Sequence, residues 1–211
     1  MIKGNMAELL IFLYIMSTLS YRFLPEHENQ AFTSLIFSKN TKTSIKDVPY
    51  HVLIVYGSSY CSGTLIGSRT VVTAASCFDN NKDEPIIVKV GSNSMTSTGQ
   101  IISVIECKIH EYYQYLSGLD NDIALLLLQN HVVFGPNIAK ILLVESEVAL
   151  RLGTPVKVTG WGGMNLPVKY LNLILQSQMM VTNKIECRKQ FGGLMTLSNF
   201  CVKYDLVRAL K

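Results

Sequence analysis

No run of lysine and arginine in this sequence is dense enough to follow a phosphate backbone, and its net charge of +4 is scattered over 211 residues. Nucleic acid is therefore not an expected partner. No apolar run reaches the roughly 20 residues that a membrane-spanning helix needs. There is no helical heptad pattern, no internal repeat and no low-complexity tract, so coiled-coil and solenoid architectures are excluded. No Asn-x-Ser/Thr sequon occurs, and N-glycosylation is not expected. No metal ligand set and no cofactor motif is assigned.

What is present is a globular composition, 48% hydrophobic and 16% charged, with enough apolar mass for a core. The length suits one all-β domain of ordinary size or two small ones. Short strand-like runs recur between turn signals from Val48 onward. Examples are His51-Val52-Leu53-Ile54-Val55-Tyr56 before Gly57-Ser58, and Ile86-Ile87-Val88-Lys89-Val90 before Gly91-Ser92-Asn93. Further runs cover 124–128, 155–159 and 171–181, and residues 145–152 suit a connection between two halves. Residues 1–20 read as a signal peptide: Lys3, the short apolar run at 9–16, then Thr18 and Ser20 as a small-x-small cleavage pattern. Residues 21–44 read as an irregular, polar, pro-like segment, and 45–211 as the folded domain. The localisation implied is secreted, with no membrane contact after signal cleavage.

Five cysteines leave one unpaired, and export fits their number, since disulfides persist mainly outside the cytosol. Cys107 lies in an alternating stretch. Ile101, Ser103, Ile105, Cys107 and Ile109 form the more apolar face, with Gln100, Glu106 and Lys108 opposing them. Cys107 is expected to be a free, buried thiol; an intermolecular disulfide is the alternative.

Two strings carry the chemistry: Val71-Val72-Thr73-Ala74-Ala75-Ser76-Cys77 and Asp120-Asn121-Asp122-Ile123-Ala124-Leu125-Leu126. Around them stand Pro49-Tyr50-His51-Val52, Cys61-Ser62-Gly63-Thr64-Leu65-Ile66, Val88-Lys89-Val90-Gly91-Ser92 and His110-Glu111-Tyr112-Tyr113. Then come Gly153-Thr154-Pro155-Val156-Lys157-Val158-Thr159-Gly160-Trp161-Gly162, Glu186-Cys187-Arg188 and Asn199-Phe200-Cys201. In order and spacing these strings resemble the trypsin-like serine proteases over about residues 44–204. The resemblance implies a double antiparallel β-barrel with the active cleft between the barrels, here with the second barrel incomplete. It also implies disulfides Cys61–Cys77 and Cys187–Cys201.

The triad mechanism of that family needs an attacking hydroxyl, an imidazole that takes and returns its proton, and a carboxylate that orients the imidazole. Asp122 matches the carboxylate. Ser76 stands where the family has its histidine, and a hydroxyl binds essentially no proton near neutral pH. Its expected role is to fill space and donate a hydrogen bond to Asp122. His27, His51, His110 and His131 all fall away from the base position. The string Gly-Asp-Ser-Gly-Gly does not occur, so the chain reads as lacking the nucleophile segment. Residues 37–40 fill the activation slot without the family's cleavage signal.

These departures lead to the expectation of a protein that is not an enzyme, a catalytically inactive secreted homologue with no site residue set intact. Such a protein would act by binding another extracellular protein, such as a protease or an inhibitor. The other reading is a truncated or incomplete form of a serine-type endopeptidase that cleaves peptide bonds.

Overall fold

A computed structural model describes residues 41–79, 84–97, 99–114, 120–144, 150–161 and 172–204. The expected signal peptide, the pro-like segment up to residue 40, the activation slot and His27 lie outside the described residues.

Among the described residues, ten strands form two sheets. β1 (Thr41–Lys42) comes first in the chain, within the stretch read from sequence as irregular. β2 (His51–Tyr56), β3 (Ser59–Leu65), β4 (Thr70–Thr73), β5 (Ile86–Val90), β6 (Gln100–Ile109) and β7 (Ala124–Leu128) close an antiparallel barrel in the order β2-β3-β4-β7-β6-β5. β8 (Pro155–Trp161), β9 (Ile174–Thr182) and β10 (Cys201–Tyr204) make a second, open sheet with β1. β9 is its centre. β8 runs along one edge of β9, while β1 and β10 pair end to end along the other. The expected all-β architecture is present, as one closed barrel and a partial second sheet.

Alternation of apolar residues fills the barrel. Val52, Ile54, Leu65, Val71, Val88, Leu126 and Leu128 have no measurable exposure and pack into one cluster. Gly63 belongs there for a steric reason. A Cβ at this position would come within 2.8 Å of both Ile54 Cδ1 and Val71 Cγ1, closer than packed carbons tolerate. A second core, with Ile45, Val48, Leu53, Trp161 and Ile174, joins the barrel to the open sheet.

β6 departs from the face read out of its sequence. Its register against β7 shifts between Val104 and Glu106, and a bulge of this kind changes which side chains point inward. Ile102, Val104 and Cys107 pack on the barrel core. Ile101 and Ile105 point out, 63% and 56% exposed. The apolar stripe of alternate residues is thus divided between the two faces.

A helix, α1 (Lys184–Phe191), follows β9. Period gave no sign of it, but its caps are legible: the Asn183 side chain accepts from the Ile185 amide at 2.9 Å, Glu186 opens it, Arg188 and Lys189 end it, and Gly192 follows with a φ of 56°. Two disulfides brace the fold, Cys61–Cys77 and Cys187–Cys201, each with Cα atoms 6.3 Å apart. Among the described residues no helix is long and apolar enough to cross a membrane.

Candidate active site

β4 and β7 are antiparallel neighbours, with Thr73 opposite Ala124. The end of one therefore lies beside the start of the other, and residues just outside the pair meet. On one side the chain leaves β4 through extended Ala74 into a buried 3-10 turn, Ala75–Phe78, which carries Ser76 and ties Cys77 to Cys61. On the other side lies the 120–122 loop. Asn121 takes a left-handed φ of 50°, a conformation in which Asn is enriched among non-glycine residues.

The two residues singled out from sequence come together here. The Ser76 amide donates to Asp122 Oδ1 at 2.8 Å, and its hydroxyl donates to Oδ2 at 2.8 Å. Burial raises the Asp122 pKa above the ordinary carboxylate value. The Ser76 bonds and the Ala75 amide pull it back down, while the charge of Asp79 pushes it up.

Asp79, one turn further on, accepts from Tyr113 Oη at 2.8 Å and from Gln114 Nε2 at 3.3 Å. Burial first, then the bond to Asp79, drives the Tyr113 phenol well above its usual range. It is held as a neutral donor at physiological pH. Sequence reading missed this acid–phenol pair, which joins residues 34 apart and has no local signature.

Each described histidine is engaged elsewhere. His51 is 3% exposed, lies 3.2 Å through Nδ1 from Thr159 Oγ1, and its ring is 5.6 Å from that of Trp161. Desolvation lowers its pKa to about 4, so the ring is neutral. His110 accepts from the Tyr112 amide at 3.2 Å, and His131 is 2.7 Å from Ser68 Oγ. Among the described residues no group of three or more His, Cys, Asp or Glu is arranged to hold a metal ion. Cys107 carries a free thiol, as expected, but it is half-buried against the barrel core and not fully enclosed; burial raises its pKa.

The trypsin family model matches residues 38–209. The chain belongs to the trypsin-like serine protease family. It is 30% identical over 71% of its length to trypsin 5G1 of Aedes aegypti, covering 58% of that protein. It is 36% identical over 57% of its length to the vitellin-degrading protease of Bombyx mori, covering 46%. Human trypsin-3 is 29% identical over 74% of this chain and is covered to 51%. The chain thus spans about half the length of the curated relatives that it matches. A solved structure titled "Structure of GrC" aligns with a TM-score of 0.68 at 22% identity, over 77% of this chain and 74% of that one. At that identity it supports the fold alone.

These relatives correct one expectation. The expectation that the chain is not an enzyme rests on Ser76 at the base position and on the absence of a nucleophile string. The family it matches over most of its length is one of proteases, and the relatives named above are proteases by name.

Proposed function

We propose that the protein is a serine-type endopeptidase that hydrolyses peptide bonds, and that this chain carries the first barrel and the carboxylate of its site. The observation behind the reading is the placement of Asp122, a half-buried carboxylate at the entrance to β7, joined by two hydrogen bonds to position 76 at the exit of β4. This is the juxtaposition of carboxylate and base position that the triad mechanism uses.

Ser76 sets the expected rate. Its proton is directed at Asp122, and a hydroxyl takes up no second proton near neutral pH. Removing the imidazole base from a serine-protease triad lowers kcat by roughly 10⁶ and leaves about 10³–10⁴-fold over water. The reading is therefore of a slow peptidase: with no imidazole at position 76, the proton of the attacking hydroxyl passes to solvent, and that hydroxyl belongs to a nucleophile segment that these 211 residues do not contain. Export belongs to it as well, supported by two disulfides and by the leader-like residues 1–20. An extracellular protein, as substrate or inhibitor, is the partner class implied.

The test uses the natural-length protein with an internally quenched peptide and a fluorophosphonate probe. Slow cleavage and slow labelling are expected, both rising with pH and without an inflection near the imidazole pKa. Neither cleavage nor labelling at any pH between about 5 and 8, where folded proteins tend to be most stable, would overturn the proposal.

A further inference from the structure

The loop that presents Asp122 is held from two sides. The 112–114 segment supplies one: Asn121 Nδ2 donates to Tyr112 O at 3.0 Å, and the Gln114 amide donates to Asp120 O at 2.9 Å. The other comes from much later in the chain. Ser198 Oγ donates to Asp120 Oδ1 at 2.9 Å across 78 residues, and the same oxygen accepts from the Asn121 amide at 2.9 Å.

This second hold is built with some care for its own shape. Asp120 is 3% exposed, and a buried carboxylate is costly unless donors reach it. Asn121 keeps its left-handed φ of 50° with its amide satisfied by Ser198. The turn that delivers Ser198 is internally bonded: the amide and hydroxyl of Thr196 both donate to Asn199 Oδ1 at 2.9 Å, and Thr196 Oγ1 lies 2.9 Å from Ser198 Oγ. Lys184 Nζ donates to Leu197 O at 3.2 Å. The turn lies inside the loop closed by Cys187–Cys201, just before β10. The second sheet thus reaches back to the first barrel one and two residues before Asp122.

We propose that Ser198 is a positioning residue: by holding Asp120 and the Asn121 amide, it fixes the Asp122 carboxylate on position 76. A one-residue spacing leaves little freedom for Asp122 once Asn121 is fixed, because each residue has only two soft torsions. The proposal rests on the preceding reading only in naming Asp122 the site carboxylate. Its test reads the carboxylate contact directly and needs no catalytic activity.

The measurement is amide hydrogen exchange, with nitrogen-15 shifts, on the full chain. The Ser76 amide reports Asp122 directly, because it donates to Oδ1. In Ser198→Ala, exchange at Ser76 and Asn121 is expected to quicken at least about tenfold, the loss of one charge-assisted bond and one amide acceptor. Ile54 in the barrel core is expected to stay unchanged, and Ser198→Thr to restore Ser76 to within about twofold, since the hydroxyl is kept. Quickened exchange at Asn121 with Ser76 unmoved would overturn the proposal. So would failure of Ser198→Thr to restore it. Should Ser198→Ala unfold the chain, Thr196→Val gives a milder version, weakening the hold of Ser198 by loosening the turn that presents it. A few-fold quickening confined to Asn121 and Ser76 then supports the proposal, and none at Ser76 contradicts it. A peptidase assay that fails would overturn the functional reading and leave these exchange rates as they are.

Discussion

Ser76 meets Asp122 with both of its donors, the amide on Oδ1 and the hydroxyl on Oδ2, each at 2.8 Å. The pair joins the turn after β4 to the loop before β7, and it bears on the charge state of the carboxylate as well as on its orientation. Both bonds favour the ionised form against a burial that disfavours it.

Ser76→Ala should therefore raise the Asp122 pKa further above its ordinary value, because one of the three lowering bonds is lost. A carboxyl raised in the fold contributes most below its unfolded pKa, and that contribution is lost as pH rises through the folded one. The variant should lose stability at neutral pH, by about 1–2 kcal/mol, and less in acid. Carbon-13 titration of the carboxyl and denaturation at two pH values check both statements. A pKa that falls in Ser76→Ala would contradict the assignment.

His51 gives a separate acid dependence. Its pKa is about 4 in the fold against 6.5 for the free side chain, so the unfolded chain takes up a proton first as pH falls. Stability from this site is full above about pH 6.5, declines through the window to about 4, and is constant below it, a loss of about 3 kcal/mol. His51→Gln, which stays neutral, should flatten that part of the stability curve relative to the parent. Equal slopes in parent and variant would place the acid sensitivity elsewhere.

How much of this was legible beforehand varied with the range of the interaction. Strands β2, β5 and β7 appear in the sequence at their observed bounds, because each is a short apolar run closed by turn residues or polar neighbours. The meeting of Ser76 with Asp122 followed from the family resemblance, and the antiparallel pairing of β4 with β7 gives its cause. β6 was misread, since a bulge adds one residue to the period without leaving a letter to mark it. The Tyr113–Asp79 contact and the Ser198 hold on Asp120 were out of reach. Both join loops, and loop contacts across 34 and 78 residues leave no periodic trace in one sequence.

The Cys61–Cys77 bridge lies directly beside Ser76 and anchors its turn to β3. Replacing both cysteines with alanine should cost about 2–5 kcal/mol and loosen the Ser76 turn before the rest of the barrel. Thermal melts give the first quantity, and exchange at Ser76 relative to Ile54 gives the second. Equal quickening at both would mean that the bridge steadies the barrel as a whole.

Cys107 packs half-buried against the barrel core with a raised pKa, so it should react slowly with iodoacetamide in the folded protein and fully in denaturant. The folded chain should show one latent thiol and no disulfide-linked dimer on non-reducing gels. Rapid native labelling or a reducible dimer would place the thiol outside the core.

The most direct test of the proposed function is the change Ser76→His in the natural-length protein, assayed on an internally quenched peptide across pH. An imidazole beside Asp122 restores a base to a site that already holds its carboxylate. General-base catalysis of this kind contributes about 10²–10⁴-fold. We predict a gain of at least about a hundredfold in kcat/KM, together with a new inflection near the imidazole pKa that the parent lacks. No hydrolysis by either protein, or a gain without that inflection, would contradict the account.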